Sequence, residues 1–164
     1  MLALLTPRLV YFGLAALALC AMLFAWYLEY QVGLNPCPLC MTQRVFVIAG
    51  GVVALLAALH NPRTWGRRVY GALCALVAIG GGAVAARHVW LQHLPPDQVP
   101  ACGPSLEYML ETLPFKDTLS MVLMGDGNCA ENHWTLLGLS IPEQTLLLFI
   151  AITAASLWQT LRRS

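Results

Sequence analysis

Charge is scarce in this chain. Only 10% of its 164 residues are Asp, Glu, Lys or Arg, against about 25% in an ordinary soluble domain. Hydrophobic residues make up 59%, which excludes a disordered chain as well as a typical soluble globule. Nine basic against eight acidic residues leave a net charge of +1, so no basic field exists to hold nucleic acid. One C-x-x-C stands at 37–40 with no second copy, which argues against a zinc ribbon. Residue 41 is Met rather than His, which excludes c-type haem attachment. No signature of a bound flavin, haem or iron–sulfur cluster is present, no resident metal is expected, and there is no internal repeat.

What the chain has is long apolar runs. A span needs about 20 apolar residues to cross roughly 30 Å of hydrocarbon. Four runs qualify, at about 9–28, 40–59, 69–86 and 141–161. Hydrocarbon offers bare backbone groups no partner, so these segments must be helices. The expected fold is an all-α membrane protein: a single integral domain, 1–164, holding a four-transmembrane-helix bundle. Its outer loops are a short one at about 29–39 and a long one between helices 3 and 4, at about 87–140. The first run follows Arg8 as a secretory signal would. Leu17-Ala18-Leu19-Cys20 is similar to a lipoprotein cleavage box, but Leu19 is too large for the position before the cysteine, and the run is read as a retained span.

Basic residues orient the bundle. Arg8 precedes span one, Arg63, Arg67 and Arg68 fall between spans two and three, and Arg162 and Arg163 follow span four. Lys and Arg mark the cytoplasmic face, so both termini and the 60–68 loop are expected inside and the other two loops outside. Aromatic residues are read as interfacial anchors, with Tyr11, Phe12, Trp65, Tyr70 and Trp158 inside and Trp26, Tyr27, Tyr30, Trp90 and Trp134 outside. Within the long loop, Pro95, Pro96, Pro100 and Pro104 keep the chain extended. Ser105–Leu113 suits a short helix, 119–124 suits a surface-lying apolar segment, and Gly125-Asp126-Gly127-Asn128 signals a turn.

Cysteine positions carry the chemistry. Cys20 and Cys74 lie within spans and read as small buried hydrophobes. Cys37, Cys40, Cys102 and Cys129 fall on the outer face, which is oxidising if it is a bacterial periplasm. Four thiols allow three pairings; local geometry favours Cys37–Cys40 and Cys102–Cys129. As a staple, the second pair would close a loop of about 28 residues, worth roughly 3.5 kcal/mol in a chain-entropy picture. Cys37-Pro38-Leu39-Cys40 closes almost no loop and has the spacing of a redox pair. Pro36 and Pro38 place Cys40 near the first turn of a helix, where free N–H groups and the helix dipole favour a thiolate. Arg44 shares its face about one turn deeper, and an arginine at that depth reads as functional. A thiol pair at the lipid boundary must pass two electrons onward. A lipid-soluble quinone is the simplest acceptor, with Arg44 steadying its developing negative oxygen.

These residues resemble the disulfide bond formation protein B (DsbB) family. The resemblance rests on four spans, Asn35-Pro36-Cys37-Pro38-Leu39-Cys40 followed by Arg44, and the Cys102/Cys129 pair. Gly127-Asn128-Cys129-Ala130-Glu131, Trp134, Leu137-Gly138-Leu139 and Pro142 extend it. It implies a bacterial inner-membrane thiol:quinone oxidoreductase that reoxidises a periplasmic thioredoxin-fold, DsbA-like partner. The implied acceptor is ubiquinone, or menaquinone without oxygen, and the DsbA–DsbB–quinone coupling is itself a general example of this redox chemistry. By the same resemblance Cys37 and Cys40 are the quinone-proximal pair, Cys102 and Cys129 the carrier-facing pair, and Arg44 a quinone contact. His88 matches a position near the quinone, but Arg87 competes for that role, and the residue-level reading of His88 is an interfacial side chain. His60, His93 and His133 read as exposed polar groups.

Two rivals are weaker. Vitamin K epoxide reductase relatives also combine a small bundle with C-x-x-C and a quinone, but their motif sits late in the bundle, not at the second helix. A disulfide-braced assembly subunit would leave Arg44 and the tiny 37–40 ring without a purpose.

Overall fold

A computed structural model describes residues 6–95, 97–103, 106–131 and 134–162. Pro96, Pro104, Ser105, His133 and Arg163, named above, lie outside the described residues. Four helices are long and apolar enough to cross a membrane: α1 (Pro7–Tyr30), α2 (Pro38–His60), α3 (Thr64–Gln92) and, last in the chain, α7 (Ile141–Leu161). The protein is an all-α, multi-pass membrane protein. Three short helices lie between α3 and α7: α4 (Leu106–Thr112), α5 (Phe115–Met124) and α6 (Gly127–Ala130). An antiparallel hairpin, Thr135–Leu136 with Leu139–Ser140, leads into α7.

Three of the four long helices outrun the apolar stretches that announce them, because hydrocarbon does not by itself end a helix, while α7 coincides with its stretch. Thr6 caps α1 ahead of Pro7, so Arg8 is already helical. Asn61 ends α2 in the left-handed conformation at φ 46°. Ser140 and Glu143 form a reciprocal capping box on α7, satisfying two N–H groups that would otherwise be unpaired. The largest difference is α3. Arg67 and Arg68 belong to its first turns, not to a 60–68 loop, and the break after α2 is confined to 61–63. At its other end Arg87 and His88 are helical too.

Packing relies on small residues, as expected where lipid removes the hydrophobic drive between helices. α1 buries Tyr11, Leu14, Ala18 and Met22 along one stripe, and Ala18 meets α2 at Gly51, where an added Cβ would lie 2.8 Å from the alanine methyl. The most extensive contact joins α3 and α7. Gly81 faces the ring of Phe149, and a Cβ there would approach ring carbons at 2.3–2.9 Å. Phe149 is only 1% exposed. Gly81→Ala is therefore expected to destabilise the bundle by about 1–3 kcal/mol, the usual cost of overpacking. Thermal unfolding in detergent measures it, and Phe149→Leu in the same chain should restore part of the loss.

Basic residues gather at the end of the bundle opposite the C-x-x-C motif. Arg8 Nε donates to Ala58 O at 3.2 Å, Arg67 Nη2 to Arg162 O at 2.6 Å, and Tyr11 Oη to Arg67 O at 2.8 Å. Tyr11 is consequently a buried tie between α1 and α3 and not an interfacial anchor. Its spacing places it on the same stripe as Leu14 and Ala18. Trp134, beyond the bundle, holds its ring 5.8 Å from that of Phe24 on α1. Cys74 is buried as expected, whereas Cys20 is exposed on the outer face of α1.

The hairpin was not foreseen. Its turn carries Leu137 at φ 55° and Gly138 at φ 81°, the two successive positive values that a tight primed turn needs. Leu137 bears that conformation at the surface, 94% exposed. In α5 the buried residues are Thr118 and Val122, while Phe115, Leu119, Met121 and Met124 are exposed.

Candidate redox site

Cys37 is the N-cap of α2 and Pro38 its first helical residue. Proline loses nothing at that position, because its absent N–H would have been unpaired anyway. The Cys37 sulfur occupies the usual place of a capping oxygen and accepts from Cys40 N at 3.4 Å. The two sulfurs are 3.2 Å apart. The C-x-x-C motif thus coincides with a helix start, and the cap itself orients one thiol toward the other.

Arg44 follows one turn later and turns toward α1. It forms an ion pair with the Glu29 carboxylate, and Nη2 donates to Ala25 O at 3.4 Å. Both charged side chains are about four-fifths buried, at 18% and 24% exposure. Glu29 went unnoticed in the sequence, where it reads as one more acid at the outer border. Pairing it with Arg44 requires knowing that α1 and α2 are antiparallel neighbours.

His88 is 2% exposed, so it is not an interfacial side chain. Nδ1 lies 3.0 Å from Gln43 Nε2, and Nε2 lies 3.0 Å from Cys129 O and 3.7 Å from Cys37 Sγ. With the Gln43 amide donating into Nδ1, Nε2 carries the proton and donates to the Cys129 carbonyl. Arg87, its competitor, points elsewhere. It stacks over Trp90 at 4.2 Å and donates to Met124 O at 3.1 Å. Gln43 was missed because it is uncharged, yet a polar residue three positions after Cys40 within an apolar run was a usable signal.

The long loop folds back over this end of the bundle. Asp126 caps α6 and accepts from Cys129 N at 3.3 Å. Gly125, at φ 74°, comes so close that a Cβ would lie 2.5 Å from Leu91 Cδ1 and 2.9 Å from Leu39 Cδ1. Leu39, Leu91 and Cys129 are each 0% exposed and pack together with Val84. The Cys129 sulfur, the Cys37 sulfur and a His88 ring nitrogen all fall within 4.8 Å of one another. Cys102 is exposed, but its segment stays close: Gly127 N donates to Ala101 O at 3.3 Å. All six cysteines are free thiols here. The Cys129 sulfur thus lies beside Cys37 and His88.

The thiol of Cys129 is pushed well above the ordinary cysteine range, first by its contact with Cys37 and then by burial. A thiol held protonated and enclosed is a slow nucleophile toward small reagents. In fully reduced protein, maleimide should modify Cys102 at least about ten times faster than Cys129, as read by mass spectrometry of peptides after timed quenching. Equal rates would mean that the loop does not seat Cys129 in solution.

A cavity lies against these groups. Cys37, Cys40, Arg44 and His88 line it together with Met22 and Ala25 of α1 and Pro142 and Thr145 of α7. Its wall is mostly apolar, and Glu29 and Gln43 add further polar groups to it.

Four membrane-capable helices carrying a helix-capping C-x-x-C, with a third thiol folded onto it, define a membrane oxidoreductase of disulfide formation. The family model for disulfide bond formation protein DsbB matches residues 7–159. Disulfide bond formation protein B of Hahella chejuensis is 53% identical over 160 residues, covering 97% of this chain and 96% of that protein. The protein of that name from Saccharophagus degradans is 48% identical over 159 residues, covering 97% and 93%. Disulfide bond formation protein B 1 of Pseudomonas aeruginosa is 51% identical over 160 residues, covering 97% and 98%. The chain belongs to the disulfide bond formation protein B family.

Proposed function

We propose that this protein reoxidises a periplasmic DsbA-like dithiol carrier and passes two electrons to a membrane quinone. It does so in a bacterial inner membrane, with both termini cytoplasmic and the four outer cysteines periplasmic. The redox-active pairs are Cys37–Cys40 and Cys102–Cys129. The observation that carries the reading is the convergence of Cys37, Cys40, Arg44 and His88 on one largely apolar cavity between α1 and α7. Such a wall suits a flat apolar ring, and its polar side chains suit the ring's oxygens.

Exposure separates the two loop cysteines. Cys102 is open to solvent, so a large soluble partner's thiolate attacks there, forming a mixed disulfide and releasing Cys129 as a thiolate. Cys129 sits beside Cys37 and attacks it, making a transient Cys37–Cys129 bridge. Cys40 leaves at the N-terminal turn of α2, where backbone N–H groups favour the departing thiolate. The carrier's second thiolate attacks the mixed disulfide and the carrier leaves oxidised, freeing Cys102 as a thiolate. Cys102 attacks Cys129, restoring Cys102–Cys129 and releasing Cys37, and Cys37–Cys40 re-forms as the electron pair departs. A bound quinone, whether ubiquinone or menaquinone, supplies a two-electron, two-proton acceptor. Arg44 supplies N–H donors to the cavity wall, and His88 lines it beside Cys37 with its Nε2 proton given to the Cys129 carbonyl.

Purified protein given quinone and a reduced DsbA-like carrier should oxidise one carrier dithiol per quinone reduced, followed by quinone absorbance. Absence of turnover with every carrier and both quinones would overturn the reading. Single cysteines placed at Gln98 and Asn61 should be reactive and protected, respectively, toward an impermeant reagent in spheroplasts; the reverse would overturn the orientation.

A further inference from the structure

The geometry points to a second property of the same thiols: in the reduced protein, Cys37, His88 and Cys129 form a binding site for a thiophilic d10 cation, Zn2+ above all. Their donor atoms lie within 4.8 Å of one another. The sulfur of Cys37 is 3.7 Å from His88 Nε2. In a tetrahedral zinc site, bonds of about 2.3 Å to sulfur and 2.0–2.1 Å to nitrogen put such a pair of donors roughly 3.5 Å apart. Cys40 Sγ, 3.2 Å from Cys37 Sγ, stands next to this group but outside it. Two thiolates with one imidazole are a donor set that selects zinc or copper(I) over hard cations. This set arises from three separate segments, so sequence spacing gives no hint of it.

Binding requires one local rearrangement, and the surroundings permit it. Nε2 now donates to Cys129 O. For Nε2 to ligate, its proton must move to Nδ1, and the Gln43 amide must turn end for end so that Oε1 accepts from Nδ1–H. Gln43 is itself 4% exposed and already within 3.0 Å of that nitrogen. It thereby becomes the hydrogen-bond partner that orients a metal-bound histidine. Cys37 and His88 line the cavity, which gives the ion a way in.

The step is not a redox one. Zn2+ displaces one proton from each ligating thiol, leaves every sulfur at its original oxidation state, and is removed by a chelator. While it is bound, Cys37 and Cys129 are unavailable for exchange. The site exists only when both are thiols, so zinc arrests the reduced enzyme and spares the oxidised one. This inference rests on the geometry of the reduced thiols and not on the quinone reading.

The test is a Co2+ titration of full-length, detergent-solubilised, quinone-free protein carrying Cys20→Ser, Cys74→Ser and Cys102→Ser, reduced with a phosphine. One Co2+ per chain is expected, with thiolate-to-metal absorption and the strong visible bands of tetrahedral cobalt, displaced by one equivalent of Zn2+. Gln43→Leu should weaken binding about 10- to 100-fold. Cys129→Ser and His88→Ala should each weaken it at least as much, and wild-type protein oxidised at 37–40 should give no tetrahedral spectrum. Absence of the spectrum from reduced protein, the same spectrum from oxidised protein, or affinity unchanged in both Cys129→Ser and His88→Ala would overturn the site. The comparison of reduced with oxidised wild type needs no variant to fold.

Discussion

Carrier-driven quinone reduction by Cys129→Ser protein should fall by more than roughly 10³-fold, while its Cys102, left as a free thiol, should capture oxidised carrier as a mixed disulfide. Losses of this order follow removal of a group that acts in a covalent relay. The expectation comes from the division of labour between the two loop cysteines. Cys102 is exposed, while Cys129 is 0% exposed and held beside Cys37 by the Asp126 cap and the Leu39–Leu91 seat. Without Cys129 there is no Cys102 disulfide for the reduced carrier to attack and no second loop thiol to reach Cys37, and Cys102 can only open the disulfide of an oxidised carrier. A small dithiol that reduces Cys37–Cys40 directly should still drive quinone reduction in the variant, which separates a broken relay from a broken site. Non-reducing electrophoresis reads the adduct. Cys74→Ser and Cys20→Ser should turn over nearly normally, because neither thiol is near the cavity. Full turnover at physiological carrier levels without Cys102 and Cys129 would show that the loop pair is only a staple.

Arg44→Ala should raise the quinone concentration needed for half-maximal rate by about 10- to 150-fold, since one charge-assisted hydrogen bond is worth roughly 1.5–3 kcal/mol. The Cys37–Cys40 disulfide should persist. The ion pair with Glu29 adds a second arm. Arg44→Ala leaves the mostly buried Glu29 carboxylate without its partner, so part of the loss reflects an uncompensated charge and not the missing contact. Glu29→Gln in the Arg44→Ala background removes that part. The affinity still missing in the double variant, relative to Glu29→Gln alone, measures what Arg44 itself does for the quinone. An unchanged quinone dependence in Arg44→Ala would reduce Arg44 to a tie between α1 and α2.

The positions of the four long helices were legible in the sequence because the requirement behind them is one-dimensional. Lipid demands about 20 apolar residues in a row and a helix to satisfy the backbone, and 9–28, 40–59, 69–86 and 141–161 announce that directly. The N-terminal placement of Cys40 on a helix was also local information, since Pro36, Pro38 and the following apolar run lie within a few residues of it. Helix ends were less legible. Arg67, Arg68 and Arg87 look like loop residues when the rule counts hydrocarbon, yet α3 continues through them over Thr64–Gln92.

What only the tertiary structure decided was which distant groups share a volume. His88 reads as interfacial until α3 is packed beside α2, which buries it between Gln43, Cys37 and the Cys129 carbonyl. Glu29 and Arg44 are 15 residues apart in the chain, and only the antiparallel packing of α1 on α2 makes them a pair. Tyr11 looks like an anchor until its hydroxyl finds Arg67 O. Proximity in sequence pairs Cys129 with Cys102, but that its sulfur also lies beside Cys37 and His88 follows only from the folded loop, seated by Leu39, Leu91 and Gly125. A side chain's environment is set by the atoms around it in space, and for residues on separate helices no local pattern in the chain encodes that neighbourhood.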